Sequence, residues 1–219
     1  MVEEDAARED SMISEQIKGF THLETGTLAI YRSHYERIFW DLDRAEAELS
    51  GEKTDYGNLI HAAAHLRLVI EAVAMASFTA SRTLFVKAGL GMQGAKDFSA
   101  MRKSVKSLNP HYWPTSFGPV AVVGGIRTGV RREVGLQETE VGRYFGTVSE
   151  LLHVHNPFAK KKPEPAEYLN RLEALITGFH DLLDSHIVQL AQSPEYLYLR
   201  RLDDGEIVVQ AVATEHPLL

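Results

Sequence analysis

The feature that most constrains the fold is a long segment, from about residue 55 to residue 87, in which few positions are polar. Apolar residues recur along it at spacings of three and four, and others cover most of the remaining circumference. Its main seam consists of Leu59, Ala63, Leu66, Ile70, Val73, Ser77, Ala80 and Leu84. A helix with so little polar surface needs other elements around it. The segment therefore predicts a central helix.

Periodic spacing predicts four more helices, and two alternating runs around Asp203-Asp204-Gly205 predict a β-hairpin. We therefore expect an all-α fold, an antiparallel helical bundle of about five helices with a small C-terminal β-hairpin. Proline and glycine break the pattern between the third and fourth helices, where only a short strand at 120–123 is expected. The other predicted helices span residues 27–49, 95–108, 139–153 and 165–192, and the hairpin strands span 195–202 and 206–214. The expected domains are an acidic tail at 1–10, the bundle at 11–194 and the hairpin appendage at 195–219.

Composition narrows the function classes. A net charge of −7 disfavours indiscriminate binding to nucleic acid or to an anionic membrane surface. The chain has no cysteine, which excludes disulfides and thiolate metal sites. The acidic first ten residues do not resemble a signal peptide, and no uninterrupted apolar run approaches about 20 residues. We expect a cytoplasmic protein that does not span a membrane.

The end of the fourth helix gathers polar groups. Gly142, Gly146 and His153 share one face, and two glycines on one helical stripe suggest that a second backbone packs closely there. That packing would shelter His153. One interpretation makes His153 or His155 a general acid or base, with Asn156 orienting a phosphate. The other makes these side chains ligands for the carbonyl groups that a helix end leaves unpaired.

Polar residues on other helices allow two readings each. Arg67 and Glu71 form either an internal ion pair or a buried cation oriented toward the site. His61 and His65 face the same way, as metal-binding pairs do, but no acidic residue follows one turn later, so a polar strip or a second chain is favoured. His186 interrupts an apolar seam and is expected to be a hydrogen-bonded core histidine.

Two basic groups flank the fourth helix. Arg127, Arg131 and Arg132 precede it, and residues 160–162 are three lysines that follow it. Both groups are suited to gripping a phosphate backbone, and a solvated loop of mixed charge is the alternative. The sequence contains no glycine-rich phosphate loop in the right context and no nucleophile elbow.

Three stretches carry a resemblance to a known family. They are Leu66–Glu71 in the apolar helix, Met101–Pro114 with its Asn-Pro-His-Tyr-Trp-Pro loop, and Leu152–Phe158. On these stretches the chain resembles uncharacterised bacterial helical proteins related to HEPN domains. The resemblance implies an α-helical bundle, often dimeric, in toxin–antitoxin or phage-defence systems. Many HEPN domains are metal-independent ribonucleases, whose signature is an arginine followed after four to six residues by a histidine.

The chain departs from that signature, because no arginine stands at the required distance before His153 or His155. If the protein is an enzyme, we expect a metal-independent endoribonuclease, with no cofactor and no metal, acting as a homodimer on RNA. His153 and His155 would supply acid–base catalysis, and Arg67 or Arg143 would stabilise the phosphate. Substrate binding would fall to Asn156, Glu71, Arg131 and Arg132.

The alternative is a non-catalytic binding or regulatory module that acts through protein–protein contacts, with the C-terminal hairpin pairing with a strand of a protein partner. A weaker option is a small-molecule sensor that uses Tyr112 and Trp113 as a lid.

Overall fold

The helices of the predicted set are present. The computed structural model describes residues 15–18, 25–51, 55–80, 97–118, 121–123, 126–153, 164–191, 193 and 195–214. The acidic tail, His155, Asn156 and the three lysines lie outside this range. The α-helices are α1 (Thr25–Leu49), α2 (Tyr56–Ala80), α3 (Phe98–Leu108), α4 (Val141–Leu152) and α5 (Pro165–Leu183), and a 3-10 turn at Glu138–Glu140 precedes α4. Helices hold more of the described residues than strands do.

Helix α2 lies at the centre of the helical part, as its sequence predicts. It contacts α1, α3, α4 and α5, and its contact with α1 is the most extensive between helices. Leu59, Leu66, Ile70 and Val73 are almost completely buried. Burying a side chain of this size stabilises the folded state by about 1.5–3 kcal/mol. That gain is why a helix with a nearly all-apolar circumference is stable in this position.

The sheet is larger than the predicted hairpin, so the all-α class is too narrow. Seven strands form one antiparallel sheet in the order β2-β5-β6-β7-β1-β4-β3. They are β1 (Glu15–Lys18), β2 (Thr115–Ser116), β3 (Ala121–Val123), β4 (Ile126–Gly129), β5 (Ser185–Gln189), β6 (Glu195–Arg201) and β7 (Ile207–Thr214).

The predicted hairpin is confirmed as β6 and β7. Gly205 has a φ of +86°, which the turn requires and which glycine adopts without strain. Leu197 and Leu199 belong to the same hydrophobic core as the helices. Both hairpin strands have a neighbour on each side, β5 next to β6 and β1 next to β7. Among the described residues β1 pairs only with Ala213 and Thr214 of β7, so pairing of the hairpin with a strand of a protein partner stays a prediction.

The predicted end of the fifth helix is wrong. Helix α5 ends at Leu183, and the following residues form β5, which pairs with β6 along its whole length. The apolar spacing continues past Leu183 because both faces of β5 are buried. Val188 packs in the main core, and Ile187 packs in a second cluster with Phe117 and Tyr198. A strand buried on both faces lacks the alternation that distinguishes it from a helix.

One helix meets the length and composition of a membrane span. Within the described residues, Tyr56–Thr79 of α2 is long and apolar enough to cross a membrane. Half of that window is buried inside the fold. A core helix passes the same test, so this is weak evidence for a span.

The close backbone approach predicted at the α4 glycines lies elsewhere. An added Cβ at Gly142 would meet only the Arg102 guanidinium at 3.7 Å, and one at Gly146 would meet no described atom within 4 Å. Gly135, just before α4, has a φ of +80°, and a Cβ there would lie 2.6 Å from the backbone nitrogen of Leu182. The tight contact is thus between this turn and α5.

These glycines give a matched pair of variants. We expect Gly135→Ala to lower the free energy of unfolding by about 2 kcal/mol, because it combines a positive φ with a backbone clash. We expect Gly146→Ala to raise it by about 0.5–1 kcal/mol, because that helical site is open. Urea denaturation measures both. Destabilisation by Gly146→Ala would instead show a close neighbour at α4.

The core histidine is confirmed, although it lies on β5 and not on a helix. His186 is fully buried, its Nδ1 lies 2.8 Å from the Leu183 carbonyl oxygen, and its ring centroid lies 4.7 Å from that of Tyr35. Burial lowers the pKa of His186 to about 4, against a smaller opposing effect of the Leu183 carbonyl. The imidazole is therefore neutral at neutral pH, with Nδ1–H donating.

This histidine should make stability depend on pH. In the unfolded chain its pKa returns to about 6.5, so protons bind the unfolded state first as the pH falls. The stabilising effect of the neutral ring is complete above pH 6.5 and is lost between about pH 6.5 and 4, amounting to about 3 kcal/mol. NMR titration should show the His186 ring still neutral at pH 5. A ring that titrates near 6.5 in the folded protein would contradict this assignment.

Candidate active site

The best-organised cluster of ionisable side chains lies on the exposed side of the α1–α2 pair. The two helices run antiparallel, so that Asp41 meets His65 and Glu48 meets Asn58 further along. The periodicity that buries Ile38 and Leu42 of α1 places their neighbours at the edge of the interface. We call this cluster the histidine face; it consists of Arg37, Trp40, Asp41, Arg44 and Glu48 of α1 with His61 and His65 of α2.

His65 and Asp41 form a hydrogen-bonded dyad. Nδ1 of His65 lies 2.8 Å from Oδ1 of Asp41, whose side chain is only 5% exposed. Arg37 donates to the other carboxylate oxygen through Nε at 2.8 Å. With two donors the carboxylate is satisfied as an anion. Since a carboxylate can only accept, Nδ1 of His65 is the donor in this contact, and in the neutral ring the lone pair is then on Nε2.

His61 stands one helical turn before His65. Its Nδ1 lies 3.6 Å from Oε2 of Glu48, and the same oxygen accepts a hydrogen bond of 3.0 Å from Asn58. The side chain of His61 is largely exposed, and that of His65 is 25% exposed. Residues four apart on a helix have Cβ atoms about 5–6 Å apart, so the two rings are close enough to contact the same small group.

Trp40 borders the two histidines and is partly uncovered. The residue is 43% exposed, and its ring centroid lies 5.7 Å from that of His65 in an edge-on arrangement. The guanidinium carbons of Arg37 and Arg44 lie 4.3 and 5.2 Å from the Trp40 ring centroid. Arg44 forms no ion pair with any described carboxylate. An exposed aromatic ring beside guanidinium groups suits planar and anionic ligands.

The histidine face can carry out acid–base chemistry. It offers two nitrogens, Nε2 of His65 and Nε2 of His61, with a carboxylate beside Nδ1 of each ring. The hydrogen bond to Asp41 fixes the ring orientation of His65 and the position of its proton, whereas the 3.6 Å contact of His61 with Glu48 is an ion-pair distance. Among the described residues no group of three or more histidine, aspartate and glutamate side chains is placed to hold a metal ion.

His153 lies at the end of α4 and is exposed. Its backbone N–H caps the helix by donating to the Ser149 carbonyl oxygen at 3.1 Å. No described side chain forms a hydrogen bond or ion pair with its ring. The sheltered niche predicted for it is therefore absent from the described part of the protein, and its catalytic role stays a prediction. His155 and Asn156 lie outside the described residues.

The structure does not bring the predicted arginines to His153. Arg67 pairs with Glu71 at 3.1 Å, and its guanidinium carbon lies 4.9 Å from the ring centroid of Phe145. Phe145 is eight residues from His153, about 12 Å along the helix. Both members of the Arg67–Glu71 pair are partly exposed, which fits the ion-pair reading. Arg143, ten residues from His153, is exposed and pairs with Glu140.

The basic helix α3 is tied to the turn before α4. Glu138 accepts hydrogen bonds from Arg102 at 2.9 Å, Lys106 at 2.7 Å and Tyr112 at 3.0 Å. Burial alone would raise the pKa of Glu138, but these three donors together hold it below its ordinary value. Tyr112 and Trp113 are buried, and Trp113 donates to the Leu136 carbonyl oxygen at 2.8 Å. The prediction that these rings form a lid is wrong, because they anchor the loop.

Arg131 and Arg132 are exposed and line a polar cavity of about 390 Å³ beside β2. Both line the same cavity, and they belong to a different group from His61 and His65. Neither forms an ion pair with a described residue.

The α2 half of the histidine face could be predicted from the sequence. The spacing of His61 and His65 placed both on one side of α2, but their partners are on α1. Asp41 precedes His65 by 24 positions, and its role depends on the register between the two helices. The position of Asp41 in the sequence could have indicated this partner. Asp41 stands next to Leu42 of the buried seam of α1, where a carboxylate needs a hydrogen-bond donor from another element.

No protein-family model, no curated protein and no solved structure matches this chain. The resemblance to HEPN-related proteins therefore stays a prediction, and the function must be argued from the site.

The dyad makes a spectroscopic prediction. We expect the ring nitrogen shifts to show that neutral His65 carries its proton on Nδ1, because Asp41 accepts from that atom. Asp41→Ala should redistribute the proton between the two nitrogens. Asp43→Ala is the matched control, since Asp43 is two residues away and pairs with Arg201. A His65 proton distribution that is the same in all three proteins would contradict the dyad.

Proposed function

We propose that this protein cleaves RNA without a metal ion, with His65 and His61 of the histidine face as its acid–base pair. The observation that carries the proposal is the pair of imidazoles one helical turn apart, each with a carboxylate beside Nδ1. This arrangement leaves both Nε2 atoms directed away from their carboxylate partners. RNA is the substrate class that such a pair can cleave alone, because each nucleotide carries its own nucleophile, the 2′-hydroxyl.

The reaction assigned to the pair is a transesterification. Nε2 of His65 takes the proton of the 2′-hydroxyl while that oxygen attacks the adjacent phosphorus. The bond from phosphorus to the 5′-oxygen breaks, and the protonated His61 gives its proton to the leaving oxygen. The products are a 2′,3′-cyclic phosphate and a 5′-hydroxyl. His65 is assigned as the base because the buried carboxylate of Asp41 fixes its tautomer.

The rest of the histidine face supplies binding. Arg44 is exposed and free of described carboxylates, so it can contact a phosphate, while Arg37 is held by Asp41. The uncovered part of Trp40 offers a surface on which a base can stack, an interaction worth about 1–3 kcal/mol per base. The guanidinium group of Arg44 can bind a phosphate locally even though the whole chain carries a net charge of −7.

The proposal keeps the RNA-directed activity implied by the HEPN resemblance and transfers the acid–base role from His153 to His65 and His61. A homodimer and a setting in toxin–antitoxin or phage defence are further parts of the proposal that rest on that resemblance alone. A cytoplasmic location is the last part, and it rests on the sequence composition.

A non-catalytic binding module is the second candidate, and one observation favours it. Leu68 follows His65 by one turn on α2 and is 47% exposed, and Trp40, whose ring lies beside that of His65, is 43% exposed. Two large apolar side chains on one exposed face are typical of a protein–protein contact. In that case the dyad would orient groups in an interface and no bond would be cleaved.

RNA cleavage in the presence of a chelator tests the proposal. We expect the wild type to cut a single-stranded RNA in EDTA and to leave a 2′,3′-cyclic phosphate, and we expect no cleavage of DNA of the same sequence. His65→Ala and His61→Ala should each lower the rate by about 100-fold or more, as expected for loss of a general acid or base. His111→Ala is the matched control, because His111 is exposed and far along the chain from the site.

The outcomes separate the two candidate sites. Loss of cleavage in His153→Ala, with full activity in His65→Ala, would contradict a site at the histidine face and support one at the end of α4. A wild type that binds RNA and never cleaves it would favour the binding module. Thermal melting of each variant shows whether a lost rate reflects lost folding.

A further inference from the structure

The cavity beside β2 has the chemistry of a phosphate site, separate from the histidine face. It is formed by three parts of the chain: β2, the segment after β4 and the last turn of α5. Its volume is about 390 Å³, near the lower end of the range for small-ligand sites. The lining residues are Pro114, Thr115, Ser116, Arg131, Arg132, Glu133, Val134, Gln137 and Leu182.

The two arginines of this cavity have no carboxylate partner in the part of the chain that the structure describes. Neither Arg131 nor Arg132 forms an ion pair with any described residue, and Glu133, which lies in the same lining, is paired with neither. The net charge of the lining is therefore positive. In a chain with 30 acidic and 23 basic residues, two adjacent unpaired guanidinium groups indicate an anion as their partner.

A second cavity of about 560 Å³ provides a comparison within the same molecule. It too is lined by two arginines, Arg143 and Arg171, but these pair with Glu140 and Glu167. Because both guanidinium groups are already paired with carboxylates, this cavity should attract an anion less strongly. The difference between the two cavities lies in charge pairing and not in the number of arginines.

The backbone that carries the arginines is fixed on both sides. The backbone N–H of Arg132 donates to the Ser116 carbonyl oxygen at 2.9 Å, and that of Gly118 donates to the Val130 carbonyl oxygen at 2.6 Å. Ser116 is itself held through its hydroxyl to the Asp181 carbonyl oxygen at 2.9 Å. The segment is therefore positioned before any ligand arrives, which reduces the entropy lost on binding.

We propose that this cavity binds a phosphate group through the guanidinium groups of Arg131 and Arg132. Guanidinium groups donate to phosphate oxygens in pairs, and the hydroxyl of Thr115 and the amide of Gln137 supply further donors. The phosphate belongs either to a free mononucleotide or to the backbone of an RNA chain. Both ligands carry the phosphate group that the two arginines would bind.

The experiment measures binding without cleavage. The probes are 5′-AMP, adenosine as the ligand without a phosphate, and a 2′-O-methyl RNA, which lacks the attacking hydroxyl and so cannot be cut. The test variant is Arg131→Gln with Arg132→Gln. The matched control is Arg32→Gln with Arg171→Gln, which makes the same change in charge at two arginines that are paired with Glu36 and Glu167.

We expect the test variant to weaken binding of a phosphate-bearing probe by about 10-fold or more, and the control to leave it nearly unchanged. An effect on 5′-AMP, with adenosine not bound, assigns the site to a free phosphorylated ligand. An effect on the RNA alone assigns it to the backbone. Arg131→Lys with Arg132→Lys should fall between, because it keeps the charge and loses the paired geometry.

Equal losses in the test and control variants would show a general effect of charge and would overturn the proposal, as would unchanged binding of both probes. Both test residues are exposed, so the variants should keep the wild-type melting temperature. The result is independent of the proposed cleavage, because His65→Ala should retain the site while losing the activity.

Discussion

Helix α2 packs against each of the other four helices, so its polar side chains reach water only where this packing leaves the helix uncovered. His61 and Leu68 are exposed on one uncovered face, and His65 is partly covered by Asp41 and Trp40 of α1. The same packing that buries Leu66 and Ile70 therefore brings the two imidazoles to the α1 edge. The position of the candidate site follows from the core of the protein and not from a specialised loop.

The parts of the fold that depend on local spacing could be predicted from the sequence, and those that depend on long-range pairing could not. The bounds of α1 and α5 at their N-termini and the hairpin at Gly205 follow from periodicity and turn chemistry. Strand β5 was missed because Ile187 and Val188 are buried on opposite faces, so their spacing continues the seam of α5. Nothing local in residues 15–18 indicates that they join the same sheet.

The candidate site shows the same division. The i, i+4 relation of His61 and His65 could be read from the sequence, but Asp41 becomes their partner only through the register of two antiparallel helices. The expectation that His153 is sheltered rested on a close backbone contact at Gly146. Among the described residues, no atom lies within 4 Å of a Cβ added at that glycine. The one close approach of this kind next to α4 is at Gly135, where a positive φ, and not a helical stripe, required the glycine.

Charge pairing distinguishes structural from functional arginines in this acidic chain. Within the described residues, Arg32, Arg67, Arg102, Arg143, Arg171 and Arg201 each lie within ion-pair distance of a carboxylate. An excess of acidic residues makes such pairing easy to achieve, yet Arg44, Arg131, Arg132 and Arg200 pair with no described carboxylate. Exposed ion pairs contribute about 0–1 kcal/mol, so leaving an arginine unpaired costs the fold little. The charge of Arg44 at the histidine face, and that of Arg131 and Arg132 at the β2 cavity, is then available to an anion from outside the chain.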